Sequence, residues 1–234
     1  MQMTRDQFTQ LVDTHRSDAE KKAVVPVYKR LSADLLTPVS AFLTLRQPGE
    51  LAFLLESVEG GEELGRYSFL GQSPYRTVEG RGATVTIRSG DGTSEQRNAN
   101  IFEVMQELLD EYEELPVPEL PRLRGGAVGF LGYDAVRLVE HLPDAPADDL
   151  NLPDAVWGFY DTIVAFDHVK HQVILMANAF LDRETDPETA YHGAQKRIAQ
   201  LEQQLSRGIG KLPDPVTLTD GQVNSNMERP TFEQ

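Results

Sequence analysis

Two polar residues stand where an apolar run ends. Glu56 and Ser57 close Leu51–Leu55, LAFLL, and a turn rich in glycine and glutamate follows before the next apolar run, Tyr67–Leu70. Short apolar runs bounded by turn residues predict buried strands, here a hairpin over Leu51–Gly71. A buried carboxylate and hydroxyl at the end of such a strand can present hydrogen-bonding groups to a small ligand. The same pair can simply start the turn, and spacing alone leaves both readings open. His168 and His171 are the next candidates, three positions apart in a predicted hairpin loop, Asp167–His171. With no third ligand nearby, that spacing does not make a zinc site. Gly125, Gly126, Gly129 and Gly132 crowd one segment, but Gly126-x-x-Gly129-x-x-Gly132 is neither a Walker loop nor a dinucleotide fingerprint. Glycines so placed let backbone approach backbone or ligand closely.

Composition narrows the chemistry. The 234 residues include no cysteine, which excludes disulfides, thiolate catalysis and zinc–thiolate sites. The formal net charge of −15 repels nucleic acid and anionic lipid, so neither is expected as a partner. No apolar run is long enough to span a membrane, and the polar N-terminus, MQMTRDQFTQLVDTHR, lacks a signal-peptide core. A cytoplasmic location is the expectation.

The elements that position these residues can be read in chain order. Thr4 and Gln7 match a capping box ahead of a helix carrying Phe8, Leu11 and Val12. Val24–Lys29 reads as a strand, with Pro26 placing it at a sheet edge or beside a bulge. Leu35–Leu45 fits either a short helix with Pro38 at N1 or a strand. Tyr75–Glu79 and Ala83–Arg88 read as strands, and the run to Asn100 as a return strand or a loop. Asn100–Glu114 is expected as one amphipathic helix capped by Asn100, although acids in its last turn oppose the dipole. Asp134 is expected to cap a short helix. Ala155–Phe166 and Gln172–Ala179 read as two strands, and Asp186–Ser206 as a helix with Pro187 at N1 and Gly208 just past its end. This order predicts an α+β fold, a largely antiparallel sheet with helices packed on its faces. Residues 1–208 are expected to form the domain, and 209–234 has the composition of a linker.

Several blocks then converge on one family. Leu54-Leu-Glu-Ser57 followed by Gly65-Arg-Tyr-Ser-Phe-Leu-Gly71 resembles the N-terminal region of anthranilate synthase component I. Thr37–Leu43, Gly125–Asp134, Leu152-Pro-Asp154 with Tyr160-Asp161, and Phe166-Asp-His168 match it in the same order. The resemblance implies an enzyme of tryptophan biosynthesis that takes chorismate and ammonia to anthranilate and pyruvate. It implies magnesium as cofactor, a glutamine amidotransferase (component II) as partner, and L-tryptophan as a feedback inhibitor. Carried over by position, Leu55, Glu56 and Ser57 would line the inhibitor site, with Arg66 and Tyr67 beside them and Pro38 and Ser40 as weaker candidates. Glu56 would pair with the ligand's ammonium by a charge-assisted bond. The family's chorismate and magnesium residues lie in a C-terminal half expected to begin near Met227, so no catalytic residue is assigned here and this chain alone is expected to be inactive. Two alternatives stay open: the equivalent part of aminodeoxychorismate synthase component I, and a non-catalytic module that binds amino acids or docks an amidotransferase.

Overall fold

The computed structural model describes residues 2–15, 22–56, 65–143, 148 and 150–208. Four helices and eleven strands follow in the order α1 (Arg5–His15), β1 (Lys22–Ser32), α2 (Pro38–Leu45), β2 (Ala52–Leu55), β3 (Tyr67–Gln72), β4 (Arg76–Arg81), β5 (Thr84–Ser89), β6 (Ser94–Asn98), α3 (Ile101–Leu109), β7 (Tyr112–Glu114), β8 (Gly126–Leu131), β9 (Ala155–Tyr160), β10 (Thr162–Asp167), β11 (Gln172–Leu181) and α4 (Pro187–Ser206). The strands make two sheets, β2-β3-β10-β11-β1-β7 and β6-β5-β4-β9-β8. All pairings are antiparallel except β1 with β7. The expected α+β class with largely antiparallel sheets is what the chain adopts.

Local chemistry explains the helix ends. Thr4 and Gln7 exchange the capping-box bonds ahead of α1. The ambiguous Leu35–Leu45 segment resolves as helix because Thr37 caps it, Ser40 completes the box and Pro38 occupies its first turn. Asp186 caps α4 by accepting from the Thr189 N–H, and Gly208 (φ +67°) takes the left-handed turn past its end. The short 3₁₀ turn Tyr133–Leu138 corrects one expectation: Gly132 is its N-cap, and Asp134 instead sits in the first turn and pairs with Arg137 at 2.9 Å.

Two longer elements also depart from expectation. The helix expected to reach Glu114 stops at Leu109, and Tyr112–Glu114 becomes β7 beside β1. Its acids oppose the helix dipole, and Glu111 finds better partners outside, Lys22 at 2.7 Å and Arg76 at 3.0 Å. Burial works against the Glu111 charge, yet those two cations hold its carboxyl below the usual range. The run Ala155–Phe166 is two strands in different sheets. It breaks at Asp161, whose carbonyl accepts from the Asn178 N–H at 2.7 Å and whose carboxylate meets Arg197 of α4 at 3.2 Å. A strand that changes sheets at a corner is a recognised way to join two layers.

Pro26 lies within an interior strand, yet its surroundings obey the edge rule. The carbonyls of Val24 and Tyr28 point away from β11, toward Leu115 and Met3. Alternation places the missing Pro26 N–H on that same outer side, in the gap between β7 and the Gln2–Lys29 bridge.

The core explains why β10 and β11 are nearly all apolar. Helices α1, α2 and α4 pack with the six-stranded sheet through Phe8, Ala41, Leu45, Tyr191, Ala194, Ile198 and Leu201. Ile163–Phe166 and Val173–Ala177 are buried residue after residue, as strands covered on both faces must be. A second cluster joins α3 (Ile101, Val104, Met105) to Val78, Val85 and Ile87 of the five-stranded sheet. The expected close approach of the glycine segment is realised at Gly129, where an added Cβ would stand 2.0 Å from the Val156 carbonyl oxygen. Gly129→Ala is therefore expected to lower stability by about 1–3 kcal/mol, read by urea denaturation. An unchanged midpoint would contradict the β8–β9 packing described.

Candidate functional site

One end of the six-stranded sheet gathers most of the residues singled out. There β2 finishes, β3 begins, and β10 turns into β11. Leu55 pairs with Phe69, and Glu56 leaves the ladder one residue later. On the other side of β3, Tyr67 pairs with Asp167 and Ser68 with Phe166. The structure thus brings Leu55, Glu56, Arg66 and Tyr67 to the same sheet end. Ser57 lies outside the described residues.

The arrangement is held by an ion pair. Arg66 donates from Nε (3.2 Å) and Nη2 (2.8 Å) to the two oxygens of Asp167. Asp167 is 3% exposed, and its Oδ1 also accepts the Val169 and Lys170 N–H groups. Burial raises the cost of the charge, but Arg66 and those backbone donors outweigh it and hold the Asp167 carboxyl below its usual range. The Arg66 guanidinium lies 4.8 Å from the Tyr67 ring centre, so the clamp and the aromatic face form one unit. Burial, with Asp167 adding, pushes the Tyr67 phenol up. Behind them Ser68, fully buried, shares a 2.7 Å hydrogen bond with His168 Nε2.

Three expectations are refined here. Glu56 is exposed rather than buried, and Leu55 is 46% exposed. The reason is that β2 is a four-residue edge strand whose pairing ends at Leu55, so its last residues run beyond the sheet. His168 is occupied by Ser68, His171 is a left-handed turn residue (φ +50°), and no cluster able to hold a metal ion occurs among the described residues. Pro38 and Ser40 serve the start of α2, Pro38 buried and Ser40 in the capping box. Asp167 and Ser68 were missed as site residues. Their signal was an acid directly following a buried apolar strand, FD in Phe166–Asp167, which turn chemistry also explains.

The clamp makes a pH-dependent prediction. A carboxylate with a depressed folded pKa contributes stability above its unfolded value and loses it as pH falls through the folded value. Removing Arg66 takes away the main cause of that depression and leaves a buried acid with backbone partners only. Arg66→Ala is expected to lower stability near pH 7, the loss shrinking toward zero as pH falls through the depressed folded value of Asp167 and the carboxyl protonates in both proteins. Chemical denaturation across pH measures this. A penalty independent of pH would contradict the assignment.

Comparison with known proteins places the chain. The sequence profile of a family described as chorismate binding enzyme matches residues 40–225. Anthranilate synthase component 1 of Acetivibrio thermocellus is 32% identical over 231 residues, covering 96% of this chain and 46% of that protein. Its counterpart in Synechocystis sp. is 38% identical over 189 residues, covering 80% and 37%. A crystal structure of anthranilate synthase component I from Streptococcus pneumoniae TIGR4 aligns at TM-score 0.49 and 24% identity, covering 80% and 38%. The chain thus spans less than half the length of these relatives. Among the described residues no helix is long and apolar enough to cross a membrane. With the profile matched over most of its length, the chain belongs to the chorismate-binding enzyme family.

Proposed function

We propose that this chain is the N-terminal, tryptophan-responsive portion of an anthranilate synthase component 1. The whole enzyme would convert chorismate and ammonia to anthranilate and pyruvate with magnesium and an amidotransferase partner. The observation that carries the reading is the convergence of Leu55, Glu56, Arg66 and Tyr67 at one sheet end, in a chain whose relatives bear that name. In this reading Glu56 takes the ammonium of the amino acid and Ser57 a further polar group. Leu55 and the Tyr67 ring wall the indole, and Asp167 keeps Arg66 aligned beside them. The residues present here offer amino-acid recognition. The chorismate and magnesium chemistry is assigned to the whole protein.

Calorimetric titration of this chain with L-tryptophan is expected to give weak binding that Glu56→Ala removes. In the whole enzyme, Ser57→Phe is expected to relieve tryptophan inhibition while most anthranilate formation survives. Inhibition unchanged in that variant would overturn the site. Formation of a folate-precursor product by the whole enzyme, in place of anthranilate, would favour the aminodeoxychorismate alternative.

A further inference from the structure

A cavity of about 160 Å³ lies where the two sheets face each other, at the other end of β11 from the Arg66–Asp167 clamp. Asn178 lines it, six residues along β11 from Gln172, the partner of Asp167. At strand rise that separates the two places by roughly 20 Å. The walls are rings: Tyr75, Tyr112, Phe159, Tyr160 and Phe180. Tyr75 and Tyr112 pack against Phe180 with ring centres 5.4 and 4.9 Å apart. Burial pushes the phenols of Tyr75 and Tyr160 up to about 12, so both stay neutral donors.

The polar groups are few and poorly satisfied. Asn178 is 6% exposed, yet its side-chain amide has no hydrogen-bond partner among the described residues. Its backbone N–H and C=O are used, by Asp161 and Arg197. Gly125 opposes it so closely that an added Cβ would stand 2.0 Å from Asn178 Nδ2. Beside it, Arg124 donates from Nη1 to the Val117 carbonyl at 3.2 Å. Its buried Nε lies 2.5 Å from Glu114 Oε1 but makes no aligned hydrogen bond. Glu114, which also lines the cavity, has a side chain that is 40% exposed, so an anionic ligand would have to displace its carboxylate from Arg124 toward water. The buried atom without a hydrogen-bond partner at this cavity is Arg124 Nε, and such a group is costly unless something occupies the space before it.

Size and charge select the occupant. An apolar cavity of about 150 Å³ holds a benzene ring. A ligand cation would meet rings already engaged, since Lys22 lies over Tyr112 and Arg76 over Tyr75 and Phe159. An anion would meet the donors of Arg124 and the Asn178 amide. We propose that this cavity binds a small aromatic carboxylate, its ring between the aromatic walls and its carboxylate on Arg124 and Asn178. This site is independent of the tryptophan reading, because none of its lining residues belongs to that sheet end.

The test is fluorine NMR of fluorobenzoate with the full chain, competed by benzoate and by benzylamine. Saturable binding is expected, with benzoate preferred over benzylamine by at least about tenfold. Asn178→Leu and Arg124→Met are each expected to weaken it at least about tenfold, while Arg66→Ala leaves it unchanged. The selectivity series on the unaltered chain needs no variant to fold. Absence of saturable binding overturns the proposal and leaves a water-filled cavity. Equal binding of benzylamine, or binding unchanged in folded Asn178→Leu and Arg124→Met, overturns it as well. Loss of binding with Arg66→Ala would place the ligand at the clamp instead.

Discussion

The fold turns on a corner at Asp161. One residue separates β9 from β10, yet the two strands belong to different sheets. The corner is made by an acid that burial pushes above its usual carboxylate range, with Arg197 working against that rise. Arg197 reaches from α4 to Asp161 and also donates to the Asn178 carbonyl at 2.5 Å. A helix, a strand and a corner are therefore tied by one guanidinium. A buried charge of this kind is held because losing its partner would strand it. With the corner fixed, β10 enters the six-stranded sheet in register to deliver Asp167 to Arg66, and β9 leaves Phe159 and Tyr160 over the inter-sheet cavity.

Charge is arranged differently inside and outside. The chain carries a net −15, and its exposed pairs, such as Arg5–Glu188 and Arg97–Glu107, contribute little to stability. The pairs at Asp167 and Asp161 differ because the first carboxylate is buried and the second is largely withdrawn from water. Both stand at ends of β10, one holding its start and the other its finish. An anionic protein that must receive an anionic or zwitterionic ligand needs such local cations, held in place before the ligand arrives.

Much of this was legible in the residues. Caps announced α1 and α4, because their side chains satisfy backbone donors within four residues, whereas Pro38 left α2 open between helix and strand until the Thr37–Ser40 box was seen. The runs in β10 and β11 announced strands, because burial on both faces demands continuous apolar character. Local pattern could not show that α3 stops at Leu109, since the cations that recruit Glu111 come from β1 and β4. The break at Asp161 was hidden for the same reason: its partner is Arg197, distant in sequence. At the sheet end, Glu56 was singled out by its place after an apolar run and given a role by family resemblance, Arg66 came from the resemblance alone, and Asp167 is recognisable only once β3 and β10 are paired. Glu56 was expected to be buried because the apolar run before it reads as a buried strand, but the run is a half-exposed edge strand and stops short of it.

Amide chemical-shift mapping of the chain during titration with L-tryptophan tests the central reading most directly, since it locates even weak binding. The account predicts shifts concentrated at the end of β2, the start of β3 and the β10–β11 turn, collapsing in Glu56→Ala. Shifts centred on Asn178 and Phe180 instead, or none at saturating tryptophan, would contradict it.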